Sequence, residues 1–214
     1  MSESPPPRTI SVTGTGRVAV EPDLADLRLG GTITAATVRD ARAVNATAMA
    51  DVIRALKGLG IASRDVQTQN LNLSPAYDYS SNTNPPRLTG YTLTNTVVVT
   101  LRDLTKVGEA IDAALEAGAT SFDSIAFRVD DPSTAERQAR EAAVADARTK
   151  AEVLAAAAGV SIAAVAAISE SGQPVPFPAF HKEVAMLASR DAATPVEIGT
   201  NEIAISVAIT YLIG

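Results

Sequence analysis

The strongest constraint on the fold of this chain is a two-residue alternation of apolar and threonine residues between positions 91 and 101. Successive side chains of a strand point to opposite faces, so the pattern predicts a long strand with one apolar face and one threonine face. Residues 71–79 keep the same period, and the turn-forming residues 80–86 separate the two runs. The sequence therefore predicts a hairpin with a long polar tip. Its apolar face comprises Tyr91, Leu93, Val97, Val99 and Leu101, and its threonine face comprises Thr92, Thr94, Thr96 and Thr100.

Three segments instead repeat apolar residues every three or four positions, which predicts amphipathic helices at about 38–58, 104–117 and 133–158. Thr37 is suited to cap the first helix, and Gly159 is suited to end the third. The predicted buried faces follow the apolar spacing: Val38, Ala41, Val44, Ala48, Val52, Leu56 and Leu59; Leu104, Val107, Ile111 and Leu115; and Val144, Ala147, Ala151, Leu154 and Ala158.

Polar residues on these helices have structural explanations. Asn45 lies beside the apolar stripe of the first helix, where we expect a buried amide that is bonded to a neighbouring backbone group. The third helix carries pairs of opposite charge four residues apart, which predict solvated helix stabilisers rather than an active site. These pairs are Glu136–Arg140, Asp146–Lys150 and Arg148–Glu152.

Further strands are predicted from alternation or from short apolar runs at residues 9–20, 25–33, 122–129, 165–170 and 198–211. We expect the first two of these strands to form a hairpin around the turn at 21–23. Gly14 and Gly16 remove side chains from one face of the first strand, which indicates a bulge or a close backbone crossing.

The element order ββαββαβαββ predicts an α+β fold with a mostly antiparallel sheet and three helices packed on it. A single domain is expected over residues 9–214, preceded by a disordered leader at 1–8. A long irregular loop at 171–195 carries four prolines and several large apolar residues. Loops of this length are uncommon, so we expect it to pack on a neighbouring subunit or partner, with a short helix possible at 180–189.

Composition excludes several classes of function. The net charge of −6 and the lack of any Lys/Arg cluster argue against a nucleic-acid partner. The absence of cysteine excludes disulfides, thiolate metal sites and thiol nucleophiles. His181 has no nucleophile elbow near it, and Asp130-Asp131 with one histidine is too few ligands for a metal. We therefore predict a protein without catalytic, cofactor-binding or metal-binding residues, and not an enzyme.

Tyr77, Tyr79 and Tyr91 form the densest aromatic group in the chain. Their alternation favours cross-strand packing, while a ligand platform is the alternative interpretation. No apolar run approaches the roughly 20 residues of a membrane-spanning helix, so we expect no integral membrane segment. The first residues lack the basic and apolar parts of a secretion signal, which predicts a cytoplasmic location for the sequence as it stands. The alternative is a periplasmic or secreted protein whose signal has been removed.

Several stretches together resemble the SIMPL-domain family, also known as DUF541, and the resemblance covers roughly residues 9 to 212. They are ISVTGTG (10–16) with EPDLA (21–25), VQTQ (66–69) with LSPAYDY (73–79), GYTLTN (90–95) with VVV (97–99), and AAVADARTKA (142–151). The resemblance implies a fold of mixed helices and strands without an established enzymatic activity. It also implies relatives among periplasmic and outer-membrane-associated bacterial antigens, some of them linked to stress tolerance and some of them large oligomers.

Two classes of function remain. The first is a non-enzymatic self-assembling or interaction protein, a homo-oligomer that associates through strand edges and the Ala-rich third helix, with a possible link to stress tolerance or the cell envelope. The alternative is a small-molecule binder or undetected enzyme with a pocket near Tyr77, Tyr79, Tyr91 and the 171–195 loop.

Overall fold

The computed structural model of the chain describes residues 7–79, 86–171, 176–179 and 194–214. These residues form two compact units. The terminal unit consists of residues 7–22, 129–171, 176–179 and 199–214, and the central unit consists of residues 23–79, 86–128 and 194–198. Most of the predicted leader, of the hairpin tip and of the 171–195 loop lies outside the described residues. That residues 9–214 behave as a single domain stays a prediction.

The predicted α+β class is confirmed, with three helices and antiparallel strands that are divided between two sheets. The strands are β1 (Thr9–Val20), β2 (Leu24–Ala35), β3 (Val66–Asp78), β4 (Arg87–Leu101), β5 (Ser121–Arg128), β6 (Ile162–Ser171), β7 (Pro176–Ala179) and β8 (Thr200–Ile213). The helices are α1 (Val38–Gly58), α2 (Val107–Glu116) and α3 (Ser133–Ala158). The strand β7 was not predicted, because prolines were expected to prevent a regular strand there. It is only four residues long and pairs with β8 on one side, where proline is tolerated.

The sheet of the central unit has the order β3-β4-β2-β5 and is antiparallel throughout. The predicted hairpin is confirmed as β3 and β4, with Leu73 opposite Leu93. Four of the five residues of its predicted apolar face, all but the half-buried Tyr91, are buried, and Val97, Val99 and Leu101 among them belong to the core that α1 and α2 cover. The large side chains of this core are Leu27, Leu29, Val97, Val99 and Leu101 from the strands, Met49, Val52 and Leu56 from α1, and Val107 and Ile111 from α2.

The buried faces of α1 and α2 differ in part from the predicted ones. Val38 and Val44 of α1 are exposed, and so is Leu115 of α2. The buried face of α1 instead includes Asn45 and Met49, because the helix is rotated so that these two residues face the sheet. The prediction from periodicity assumed that the largest apolar residues of each turn are buried. In the structure the buried face of each helix is the one whose side chains fit the surface of the sheet.

Asn45 forms the polar centre of the central unit. Its side chain is only 2% exposed, and its amide nitrogen donates to the carbonyl oxygen of Gly31 at 3.2 Å. Its amide oxygen accepts a hydrogen bond from Asn95 at 3.1 Å. The prediction of a buried amide bonded to a neighbouring backbone is therefore confirmed. Pairing of this kind avoids the free energy that an unsatisfied buried amide would cost.

In the terminal unit the central strand is β8, which pairs with β1 on one side and with β6 and β7 on the other. The predicted hairpin between residues 9–20 and 25–33 is therefore wrong, since β2 pairs with β4 and β5 instead. Pairing with β8 places the apolar residues of both strands on the face that α3 covers. The buried apolar residues of β8 are Ile203, Ile205, Val207, Ile209 and Tyr211, as predicted.

The helix α3 approaches β1 so closely that no side chain fits between their backbones. A Cβ atom added to Gly16 would overlap the carbonyl oxygen of Ala139, and one added to Gly14 would lie 2.6 Å from the backbone nitrogen of Ala147. Of the two interpretations of these glycines, the close backbone crossing is confirmed. Every buried residue of α3 is accordingly an alanine, in steps of four: Ala135, Ala139, Ala143, Ala147, Ala151 and Ala155.

The predicted inward positions of Val144 and Leu154 on α3 are wrong, since both side chains are exposed. Their bulk is incompatible with the short distance between the helix and the sheet. Gly159 ends the helix with a φ of 67°, in the left-handed region that glycine adopts readily, as predicted.

Candidate functional site

The described residues offer no constellation for metal or acid–base chemistry. Nowhere among them do three or more His, Cys, Asp or Glu residues cluster in a way that could hold a metal ion. His181 lies outside the described residues. The pKa of the Asp131 carboxyl group is lowered first by a hydrogen bond from the side chain of Ser133 and then by one from its backbone N–H at 3.0 Å. These contacts lie at the start of α3, where a negative charge is stabilising. Among the described helices, none has the length and apolar character that crossing a bilayer requires.

The edge strand β3 is the most unusual surface of the central unit. It is 13 residues long and pairs with β4 on one side only, so within the described part of the chain its other edge is unpaired. Leu71 is 65% exposed and Leu73 is 41% exposed. The segment from Val66 to Tyr77 contains no charged residue. A long edge without charges presents free backbone groups that another strand can pair with.

At the edge strand β1 of the terminal unit, in contrast, side chains of α3 form hydrogen bonds with the backbone. The carboxylate of Asp146 accepts a hydrogen bond from the backbone N–H of Thr15 at 2.8 Å. The ammonium group of Lys150 donates to the carbonyl oxygen of Thr13 at 3.0 Å and to Asp146 at 2.7 Å. The hydrogen bond from Lys150, followed by the one from Thr15, lowers the pKa of Asp146. We call this pair with its two backbone contacts the β1 clamp.

Sequence reasoning found the Asp146–Lys150 pair, as well as the other two pairs of α3, but assigned it only to helix stabilisation. The contacts to Thr13 and Thr15 were not predictable from the i,i+4 spacing, because that spacing does not reveal the strand beside the helix. They occupy backbone groups at the outer edge of β1 that would otherwise be free to pair. The β1 clamp therefore protects this edge, whereas no comparable contact is found at β3 among the described residues.

Two of the three tyrosines of the predicted aromatic group are in contact, and both are exposed. The rings of Tyr77 and Tyr79 meet edge to face with centroids 6.3 Å apart, and Tyr79 is 77% exposed. Tyr91 lies opposite Pro75 across the β3–β4 pair. The contact between Tyr77 and Tyr79 runs along the chain, so the predicted cross-strand packing applies only to Tyr91 and its neighbour Pro75.

An ion pair ties together the face of the central sheet that α1 and α2 do not cover. Arg128 of β5 donates to Asp26 of β2 at 2.6 Å, and the hydroxyl of Thr100 on β4 donates to the same carboxylate at 2.7 Å. Burial raises the pKa of Asp26, but the hydrogen bonds from Arg128 and Thr100 outweigh burial and leave this pKa below its ordinary value. With its hydrogen bonds satisfied by both neighbouring strands, this carboxylate has a structural role.

Comparison with known proteins identifies relatives along almost the whole chain. A family model described as SIMPL, protein of unknown function (DUF541), matches residues 10–211. The chain is 36% identical over 211 residues to the 26 kDa periplasmic immunogenic protein of Brucella melitensis, covering 96% of this chain and 84% of the relative. The protein of the same name from Brucella abortus is 35% identical over the same shares. The uncharacterized protein YggE of Escherichia coli is 33% identical over 154 residues, covering 72% of this chain and 62% of that protein.

These relatives correct one prediction. The cytoplasmic location expected from the first residues of the sequence is wrong, because the Brucella relatives carry a name that states a periplasmic location. The expectation relied on the first residues of the sequence alone, which do not determine the compartment. Neither the family description nor the names of these relatives assign an enzymatic activity.

Proposed function

The chain belongs to the SIMPL family, whose function is unknown, and we propose that it is a non-enzymatic periplasmic protein that assembles with copies of itself. The periplasmic location follows the names of the two Brucella relatives. A role in the cell envelope, including the link to stress tolerance that the family resemblance suggested, is part of the same proposal.

The observation that carries self-assembly is the unprotected edge of β3. This edge belongs to a strand of 13 residues that pairs on one side only, and Leu71 and Leu73 add exposed apolar surface to it. Natural proteins usually blunt such edges with charges or cover them, as the β1 clamp does at the other sheet. The register of β3 is irregular between Thr68 and Asn70 and between Ala76 and Tyr77, and Pro75 has no N–H, so residues 70–74 are the regular part of this edge. A regular stretch without charges is suited to accept a strand.

A second copy of β3 is a suitable partner for this edge. Two identical strands can pair antiparallel about a two-fold axis, so that each copy contributes the same surface. The stretch from Val66 to Tyr77 has no charge, so self-pairing brings no like charges together. The apolar side chains of the two copies would then shield one another from water.

The test is the mass of the purified protein by light scattering over a wide range of concentration. The wild type is expected to form an oligomer of defined size. Leu71→Lys combined with Leu73→Lys places two positive charges on each copy of the edge and is expected to reduce the mass to that of the monomer. Val153→Lys is the control, because Val153 is an exposed apolar residue of α3 and does not belong to β3.

A wild type that stays monomeric at every concentration would refute self-assembly. If the oligomer persists in the variant with two lysines at β3, the protein still assembles, but not through this edge. The small-molecule alternative gains no support from Tyr77 and Tyr79, since both side chains are exposed.

A further inference from the structure

A cleft opens in the terminal unit between the C-terminal half of α3 and the beginning of β6. The helix packs on β1 and β8 and leaves β6 largely uncovered, which separates the two elements at this end of the sheet. The cleft has a volume of about 480 Å³, within the range of small-molecule sites. Its apolar walls are contributed by Ala155, Ile162 and Val165.

Tyr211 of β8 lies at the bottom of this cleft. The residue is only 5% exposed, and its ring belongs to the core of the terminal unit. Its hydroxyl has no hydrogen-bond partner among the described residues. The hydroxyl is also not among the fully buried polar atoms without a partner, which are Asn95 Oδ1 and Thr200 Oγ1. A hydroxyl at the floor of a cleft that the protein leaves unbonded is available to a ligand.

Arg148 and Glu152 form one wall of the cleft. Nε of Arg148 donates to Oε1 of Glu152 at 2.8 Å. The hydrogen bond and the charge of Glu152 raise the pKa of the Arg148 guanidinium, and Tyr211 adds a smaller contribution. In the described structure this bond leaves the two terminal amino groups of Arg148 and Oε2 of Glu152 without partners. The cleft therefore offers donors for an anion beside an acceptor for a cation.

The charges limit which ligands fit. A doubly charged phosphate or sulfate would be attracted by Arg148 and repelled by the adjacent Glu152. The pair therefore favours a ligand without net charge. A molecule that carries both a carboxylate and an ammonium group satisfies both residues at once. Arginine binds carboxylates through paired N–H groups, and the hydroxyl of Tyr211 is one more donor to the same carboxylate.

We propose that this cleft binds a zwitterionic amino acid with an apolar side chain. The carboxylate of the ligand is held by the terminal amino groups of Arg148 and the hydroxyl of Tyr211. Its ammonium group is held by Oε2 of Glu152, and its side chain lies against Ala155, Ile162 and Val165. This site is independent of the β3 edge, so neither proposal depends on the other.

The experiment is a titration of isotopically labelled full-length protein with leucine, followed by NMR shifts of the backbone amides. Saturable shifts are expected at residues 160–165, which line the cleft. Isocaproate lacks the ammonium group and isoamylamine lacks the carboxylate, so each is expected to bind at least about tenfold more weakly than leucine. Arg148→Gln and Glu152→Gln are expected to weaken leucine binding by at least about tenfold, and Tyr211→Phe by a smaller factor.

The matched control is Arg137→Gln, which removes the same charge from an exposed position of the same helix and should leave binding unchanged. Arg148 and Glu152 are exposed enough that their variants are expected to fold, which circular dichroism checks. Leucine that produces no saturable shift would overturn the proposal. So would an equal loss of binding in Arg137→Gln, or isocaproate that binds as tightly as leucine.

Discussion

In the terminal unit α3 lies so close to β1 that only glycine fits opposite its alanines, whereas large aliphatic side chains separate α1 and α2 from the sheet of the central unit. Both units cover one face of a four-stranded antiparallel sheet with helix. The contact between α3 and β1 gains its packing from close backbone approach, and the core of the central unit gains it from burying apolar volume. The α3–β1 contact and the central core should therefore fail under opposite kinds of substitution.

The edges of the two sheets differ as well. The β1 clamp bonds the backbone of one edge strand, while β3 of the central unit is left open within the described residues. Each contrast, in the core and at the edge, can be tested by matched pairs of variants.

The largest effect is expected from adding volume to the close contact. Gly16→Val should destabilise the protein by about 3 kcal/mol or more, because the new side chain overlaps the backbone of α3 and the helix must move. Chemical denaturation measures the loss. The matched control is Gly58→Ala at the end of α1, where nothing lies within 4 Å of an added Cβ, and it should be neutral or stabilising. Equal losses for the two variants would show that the close contact does not limit the terminal unit.

Removing volume should matter more in the central unit. Val99→Ala deletes two buried methyl groups and is expected to cost about 1–3 kcal/mol. Thr100→Ser, on the opposite face of the same strand, keeps the hydroxyl that bonds Asp26 and should cost far less. The same denaturation curves compare the two variants. If Thr100→Ser lost as much stability as Val99→Ala, the assignment of faces on β4 would be incorrect.

Acid should weaken the ion pair that holds the outer face of the central sheet. The folded pKa of Asp26 is below its ordinary value. Its contribution to stability is therefore present above the unfolded pKa of about 3.9 and is lost as the pH falls through the folded value. Asp26→Asn should cost about 1 kcal/mol at neutral pH, and the difference from wild type should narrow below about pH 4. A difference that stays constant from neutral pH into this acid range would contradict the assignment.

The smallest effect on stability, with a distinct effect on association, is expected at the β1 clamp. Asp146→Ala with Lys150→Ala frees the backbone groups of Thr13 and Thr15 and should leave the helix content unchanged. In the background of Leu71→Lys and Leu73→Lys, where the other edge is blocked, it should restore association that depends on concentration.

The control for this last experiment replaces Arg148 and Glu152 by alanine in the same background, which removes an i,i+4 pair of the same helix that does not contact β1. Light scattering measures both double variants. A clamp variant that stays as monomeric as its control would mean that the clamp has no protective role.

Local periodicity predicted the positions of most strands and helices, because the spacing of apolar residues follows directly from the geometry of each element. The buried faces of β4 and β8 were correct for this reason. The partner of β1 was not predictable in this way. Neighbours in the chain pair more often than distant strands, yet β1 pairs with the last strand, since only there do its apolar residues and those of β8 share one covered face.

The prediction of the buried face of α3 was wrong for a different reason. The apolar pattern placed Val144 and Leu154 inside, whereas the helix turns its alanines to the sheet. The signal was present in a second part of the chain, since Gly14 and Gly16 alternate on β1 and match alanines spaced by four residues. Only the two segments together reveal the contact. The candidate edge had the same property, because Leu71 and Leu73 were recognisable as strand residues but not as residues of an edge.

The central position of β8 has a consequence for how the chain folds. Almost all of the central unit is one continuous segment, residues 23–128, which can begin to fold as soon as it is available. The terminal unit has no sheet until β8 arrives, because β1, β6 and β7 all pair with that strand. Thr9 pairs with Leu212, which lies almost at the other end of the chain. Contacts between residues far apart in sequence form slowly, so this pairing is expected to be slow. The first strand of the polypeptide can thus pair only after the last strand has been made. A chain interrupted before Thr200 would be left with β1 unpaired.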